Sequence, residues 1–259
     1  MDDFILKHIV INNLNKSCNT QKNLLFSSIG DNFDYTKWND KNKNYDIVYI
    51  YYGNNNNKFN IYKNNCNFII KHKGSKFQNL YYFYLNYKFV LNNYDYIFVL
   101  DDDILISPKD INTMFHISEK YNLFISGPSF KHSSNNKISW KININKPNNI
   151  LRFTNFVEVN TPLFKKTCLF NYLKYHNNDL LGWGIDFLYH MFNGMYKNRY
   201  AIIDLVQCIN PINKNELLKN HKNYTNRKKI FENYCNKYNI KLTYYNKFPY
   251  EPKVYSFIK

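Results

Sequence analysis

Glycine is scarce in this chain, seven residues in 259. Gly30, Gly53, Gly74, Gly127, Gly182, Gly184 and Gly194 cannot be arranged into G-x-x-x-x-G-K-[ST] or G-x-G-x-x-G. A Walker-type phosphate loop and a standard dinucleotide-binding turn are both excluded, because each needs glycines where backbone closes on a phosphate. The five cysteines, Cys18, Cys66, Cys168, Cys208 and Cys235, are odd in number and never spaced C-x-x-C. That argues against a disulfide framework or zinc knuckle and for reduced thiols in a cytosol-like compartment. Long apolar runs are missing too. The richest stretch, Leu80 to Leu91, is broken by Asn86 and Lys88, well short of the roughly 18 residues a membrane span requires. The opening Met1-Asp2-Asp3-Phe4 is acidic where a secretory leader would be basic and then apolar. The expectation is a protein without a membrane span, working in the cytoplasm, which for a virus means that of the infected host cell.

Positive charge and asparagine are abundant. Lys+Arg 35 against Asp+Glu 19 gives a net charge of +16, and roughly one residue in six is asparagine. Asn, Lys, Ile, Tyr and Phe share A/T-rich codons, so genome composition accounts for much of this bias, as in some viruses and parasites. The lysines are spread along the chain, with no tract denser than Arg227-Lys228-Lys229. Nucleic acid is therefore not the expected ligand. A solvated lysine surface is, and it also favours small anions such as a nucleoside diphosphate. Hydrophobic residues make up 44%, enough for a substantial core.

Residues 1–20 show no strong period and are set apart as an N-terminal extension. Three compact apolar stretches follow, Asn23 to Ile29, Asp46 to Tyr52 and Cys66 to Ile70, closed by turn signals at Gly30-Asp31, Gly53 and Gly74. Asn54 to Asn57 reads as a loop. Leu80, Tyr84, Tyr87 and Leu91 recur at near-helical spacing and predict a helix over 77–91. Tyr94 to Leu100 is apolar on both faces, the mark of an interior strand in a parallel sheet. Ser107-Pro108-Lys109-Asp110 opens a helix, with a capping serine, proline at the first position and an acid at the positive end. Further strands are expected over 124–126, 153–159 and 200–209, a polar excursion over 131–150, and helices over 162–175 and 216–238. Strands alternating with helices predict an α/β fold with a mainly parallel central sheet. One domain spans 21–215, with a C-terminal helical segment, 216–259, packed on it.

Such sheets bind ligands beyond the carboxyl ends of their strands, which singles out Ser27 to Asp31, Tyr52-Gly53 and, above all, Asp101-Asp102-Asp103. Like charges about 4 Å apart repel by about 4 kcal/mol at an effective dielectric near 20, so three adjacent carboxylates need water, protonation or a cation. In extended chain Asp101 and Asp103 share a side and could hold one hard divalent ion, Mg²⁺ or Mn²⁺, while Asp102 turns toward neighbouring backbone amides. The competing reading is an acidic or capping loop; the apolar strand before it and the capped helix after it favour the metal. Leu105 departs from the D-x-D-x-[TV] of haloacid-dehalogenase phosphatases, which leaves the D-x-D of nucleotide-sugar glycosyltransferases. A second constellation runs from Asn178 to Phe187 and contains Gly182-Trp183-Gly184. Its glycines permit a tight turn and close approach of a ligand, and Trp183 offers a flat face to a sugar ring. Asp186, one turn into the following helix, could take a proton from an acceptor hydroxyl. The alternative is that Trp183 is core and Asp186 only complements a helix N-terminus.

Asp95 to Asp103 (D-Y-I-F-V-L-D-D-D), Phe156-Val157-Glu158 and Asn178 to Asp186 (N-D-L-L-G-W-G-I-D) recur in that order in a family of uncharacterised proteins common in plants. That family is regarded as glycosyltransferase-like with the GT-A fold, and this chain resembles it from about Leu24 through Pro211. The G-W-G block followed by an acid is also similar to the acceptor and base segment of galactosyltransferases. The resemblance implies a Rossmann-type three-layer sandwich and a divalent cation, Mn²⁺ or Mg²⁺, on Asp101 and Asp103. It implies donor contacts from Ser27, Ser28, Gly30, Asp31, Lys76 and Asp102, with Glu158, Trp183 and Gly184 against the sugar and Asp186 as the base. Where the family pattern has a histidine after the last strand, this chain has Asn210, whose carbonyl would replace it as a metal ligand. The implied reaction moves a sugar from a nucleoside diphosphate donor, UDP in the broader class, to a hydroxyl of a glycan or other acceptor, with inversion. Two rivals stay open. A nucleotidyltransferase would want a glycine-rich basic loop, which Ser27-Ser28-Ile29-Gly30 matches poorly. A carbohydrate- or nucleic-acid-binding module on a degenerate transferase scaffold is motivated by Asn210.

Overall fold

The computed structural model of the chain describes residues 21–212, 223–240 and 251–259. The N-terminal extension and the first part of the helix expected over 216–238 lie outside the described residues. Among the described residues nine strands form one sheet: β1 (Asn23–Ile29), β2 (Asp46–Tyr51), β3 (Phe68–Lys71), β4 (Tyr96–Asp101), β5 (Ile125–Phe130), β6 (Leu151–Thr154), β7 (Leu163–Lys165), β8 (Tyr200–Cys208) and β9 (Val254–Ile258). Their order is β3-β2-β1-β4-β7-β5-β8-β6-β9. The first four strands are mutually parallel. β7 runs antiparallel to both β4 and β5, so β5 and its parallel neighbour β8 point the same way as the first group. β6 and β9 complete the sheet in antiparallel fashion. The carboxyl ends of β1, β2, β4, β5 and β8 thus share one edge.

Six helices cover the faces: α1 (Asn56–Lys63), α2 (Lys76–Leu91), α3 (Pro108–Lys120), α4 (Lys166–Leu173), α5 (Ile185–Met191) and α6 (Arg227–Lys237). β2 and β4 read as unbroken apolar runs because both of their faces are covered. Successive residues alternate between two cores. Phe26, Val48, Ile50, Ile97 and Val99 pack with side chains of α2, α4, α5 and α6. Leu25, Ile47, Tyr49, Phe98 and Leu100 pack with α3 and with Tyr62 of α1. The result is the expected sandwich of a sheet between two helical layers. No helix among the described residues is long and apolar enough to cross a membrane.

Several elements differ from expectation, each for a local reason. The asparagine run is not all loop: the Asn55 side chain accepts from the amides of Asn57 and Lys58 and caps α1. β5 continues through Gly127-Pro128, with a shift in pairing register after Pro128 that accommodates the missing amide. The strand expected over 153–159 stops at Thr154. Residues 162–175 begin as the short antiparallel strand β7 before α4 starts. The C-terminal segment is not wholly helical. Its end forms β9, held where Thr154 Oγ1 donates to the Lys253 carbonyl at 2.9 Å and the Lys253 amide donates to Asn155 Oδ1 at 2.7 Å.

Candidate active site

β4 ends at Asp101, in register with Ser28 of β1, and the chain then turns through Asp102 and Asp103. Asp102 Oδ2 accepts from the Gly30 amide at 3.1 Å and the Tyr52 hydroxyl at 2.9 Å, and Lys37 Nζ donates to the Asp102 carbonyl. Asp102 therefore stitches together the chain ends that leave β1, β2 and β4. Burial raises its carboxyl to about 6. Lys37 arrives from a 3-10 turn, Tyr35–Trp38, with its ammonium 4.4 Å from the Trp38 ring and 5.0 Å from that of Phe33. Burial lowers it to about 8 against the attraction of Asp102 and Asp103.

Lys76, the first residue of α2, stands 2.9 Å from Asp101 Oδ1 and donates to the carbonyls of Val159 at 2.7 Å and Asn160 at 2.9 Å. Burial pushes Asp101 up and Lys76 down, and their mutual attraction opposes both shifts. With 35% of the Asp101 side chain exposed, water retains its charge and the two form an ion pair. Repulsion from Asp103 also raises Asp101, so these two carboxylates lie near each other. A reciprocal backbone bridge between Leu105 and Ile209, at 2.9 and 3.0 Å, brings Asn210 alongside the aspartate turn. The Lys137 amide donates to the Asn210 carbonyl at 2.7 Å.

Among the described residues no group of three or more His, Cys, Asp or Glu side chains is arranged to hold a metal ion. By chemistry alone, the carboxylates of Asp101 and Asp103 and the side-chain amide oxygen of Asn210 are donors of the kind a hard cation takes, and Mg²⁺ commonly completes its shell from phosphate and water. The other residues expected on the donor side divide. Gly30 contributes its amide to Asp102. Ser27 is 0% exposed and donates to the Leu100 carbonyl at 2.9 Å, so it braces the sheet and presents nothing to a ligand. Ser28 accepts from Asn79 Nδ2 at 3.0 Å and is also buried. Asp31 accepts from the Tyr51 hydroxyl and from the amides of Asn54 and Asn55, which hold its carboxyl below the usual range. It stands in the turn after β1 and anchors the loop before α1.

On the other side of the site, Gly182 has φ +133° and Gly184, the N-cap of α5, has φ +83°. A Cβ at Gly184 would stand 2.8 Å from Phe231 Cζ and nearer still to other ring atoms. Trp183 is half-buried and meets the Phe231 ring edge-on at 5.2 Å, so α6 takes part of its surface. Asp186 lies in the first turn of α5. The amides of Phe187 and Val159 lie close enough to its carboxylate to favour its charge, yet burial raises it to about 7. One turn on, His190 donates from Nδ1 to the Asp186 carbonyl at 2.6 Å, and burial holds its imidazole neutral. Glu158, 5% exposed, accepts from Asn143 Nδ2 and, at 3.1 Å, from Asn160 Nδ2. Burial, and then repulsion from Asp186, raises it to about 8.

The segment 158–160 is the junction of the two sides. The Val159 amide lies close to the Asp186 carboxylate, the Val159 carbonyl goes to Lys76, and the Asn160 carbonyl also accepts from the Asp101 amide at 3.1 Å. Strand-end reasoning points to Tyr52 but misses Lys37, Asn143 and Asn160. Each is a single copy of an abundant residue type, and no spacing distinguishes it.

The sheet between its two helical layers has the fold of the GT-A glycosyltransferases. S. aureus TarS 1–349 in complex with UDP-GlcNAc superposes with a TM-score of 0.50 at 10% identity, over 83% of this chain and 66% of that one. GalNAc-T7 with UDP, GalNAc and Mn²⁺ gives 0.51 at 9% identity, over 73% and 44%. A further structure of S. aureus TarS 1–349 gives 0.49 at 11%, over 71% of this chain, which spans 58% of its length. The chain belongs to the family described as protein of unknown function (DUF707), whose model matches residues 1–154. That match takes in the stretch set apart as an extension and stops short of Glu158 and Asp186. No curated protein matches the sequence.

Proposed function

We propose that the chain is a metal-dependent glycosyltransferase that moves a sugar from a nucleoside diphosphate sugar, UDP favoured, to a hydroxyl of a glycan or other acceptor. The observation that carries this is the junction at 158–160. One short segment meets the carboxylate of Asp186 on one side and the Lys76–Asp101 pair on the other. TarS with UDP-GlcNAc and GalNAc-T7 with UDP and Mn²⁺ support the donor class.

Asp186 takes the proton of the acceptor hydroxyl as it attacks the anomeric carbon, which inverts configuration. Held at about 7, it is poised between its two states near neutral pH, where a general base works best. The amides of Phe187 and Val159 stand beside its carboxylate and favour its charged form. Glu158, flanked by Asn143 and Asn160, borders the space between Asp186 and the aspartate turn, where the sugar must lie. Lys37 and the Gly30 amide hold Asp102, and thereby the turn itself. A divalent cation on Asp101, Asp103 and the Asn210 carbonyl would supply positive charge against the departing diphosphate.

The test measures UDP release from UDP-sugars, with thermal shift alongside, in the presence and absence of Mn²⁺. Wild-type protein should release UDP only with the metal, and Asp103→Ala should melt normally without turning donor over. Undiminished turnover in Asp103→Ala removes the metal. A binding module is the second reading, favoured by the neutral Asn210 and by Lys76 engaging Asp101; it requires a thermal shift with no UDP release under any condition.

A further inference from the structure

We infer that the donor sugar is an uncharged hexosyl or N-acetylhexosaminyl group, and that the site rejects uronic and other acidic sugars. This rests on the transferase reading, because that reading sets where the sugar lies. In a displacement the base and the leaving group flank the anomeric carbon. The ring is then held between Asp186 and the aspartate turn, against the segment 158–160 that joins them.

The charges at this edge are sorted along that line. Lys37, Lys76 and Lys137 gather at the diphosphate end. Lys37 is bonded to the Asp102 carbonyl, Lys137 through its amide to Asn210, and Lys76 to Asp101. Lys76 has no proton left for a ligand, since Asp101, Val159 and Asn160 supply three acceptors. The sugar end is acidic and buried. Glu158 and Asp186 are 5% and 6% exposed and repel each other, and Asp101 adds to the repulsion at Glu158. The polar groups on Glu158 are Asn143, Asn160 and Ser139, all neutral. Arg152, the nearby buried cation, is consumed by Asp204 and by the carbonyls of Ile142 and Ile144.

Sugar hydroxyls donate to such carboxylates. Above about pH 8, where both groups are largely ionised, a sugar carboxylate faces like charge, or must drive proton uptake by Glu158 and Asp186 to enter. One like charge within about 6 Å at an effective dielectric near 20 is enough to weaken binding more than about tenfold.

The experiment compares matched pairs, UDP-glucose with UDP-glucuronate and UDP-galactose with UDP-galacturonate. Binding to the full chain with Mn²⁺ is read by calorimetric competition at pH 8.5, where both carboxylates are largely ionised. The neutral member of at least one pair should bind at least about tenfold more tightly, and Glu158→Gln should narrow that gap by about threefold or more. Uronate binding as tight as the neutral partner overturns the inference and leaves the transferase reading standing. If UDP and all four donors fail to bind, the transferase reading falls and takes the inference with it. The wild-type comparison needs no variant to fold.

Discussion

Replacing Gly184 with alanine tests how the turn that delivers Asp186 is built. Two terms follow from the geometry. The residue sits at φ +83°, where a Cβ meets its own backbone, at a cost of about 1–2 kcal/mol. The new methyl would also stand 2.8 Å from Phe231 Cζ and closer to its neighbours, in a ring that is buried and packed against Trp183. Moving that ring back to ordinary contact adds about 1–3 kcal/mol of overpacking. Together about 2–5 kcal/mol should be lost, or about 4–15 °C in melting temperature for a chain of this size. Urea unfolding of Gly184→Ala, Phe231→Ala and the double variant separates the terms. With the ring gone only the backbone cost should remain, so the cycle should show a coupling of about 1–3 kcal/mol. Gly182 has φ +133° and nothing within 4 Å of where a methyl would stand, so Gly182→Ala should show no coupling to Phe231→Ala. A coupling near zero for Gly184 would refute the packing argument.

The remaining predictions concern the buried acids. If Asp186 is the base, UDP release should rise with pH through about 7, as the carboxylate ionises. Asp186→Asn should then lower kcat by about 10²–10⁴-fold; a flat profile, or a variant near wild-type rate, would remove the role. Stability has the opposite slope. Glu158 and Asp186 titrate at about 8 and about 7 in the folded chain, above their ordinary 4.5 and 3.8. The folded state therefore binds the extra protons, and the stabilisation they bring is lost as pH rises through those folded values. Without metal, the melting temperature should fall between pH 5 and pH 8, and Glu158→Gln should flatten the decline. An unchanged slope in that variant would sink the assignment.

The parallel half of the sheet was legible because burial on both faces writes itself as apolar runs. Asn23 to Ile29 matches β1 residue for residue, and the serine, proline and acid at 107–110 mark the start of α3 as expected. The antiparallel half was harder. β7 has three residues, too few for a period of two to register, and it continues straight into α4. β9 depends on a partner more than ninety residues away in sequence. At the site, Asp102 was foreseen turning to a backbone amide, but the extended chain assumed for the triplet ends at Asp101, and a turn carries Asp102 and Asp103 instead. The sealing of Ser27 was not foreseen, because register across β1 and β4 decides it. Nor was the role of Lys76 as a clamp on 158–160, which requires knowing that the two stretches meet.

The last described strand ties a distant stretch of chain to the approach to Glu158. Glu251 and Lys253 hold Thr154 and Asn155, the residues from which the chain departs toward Glu158. A nascent chain halted at residue 250, or one clipped there by a protease, would keep both helical layers. It would leave the β6 edge bare and the approach to the acidic wall without its anchor. The posture of the acidic segment is thus set by a strand about a hundred residues away in sequence that does not itself reach Glu158.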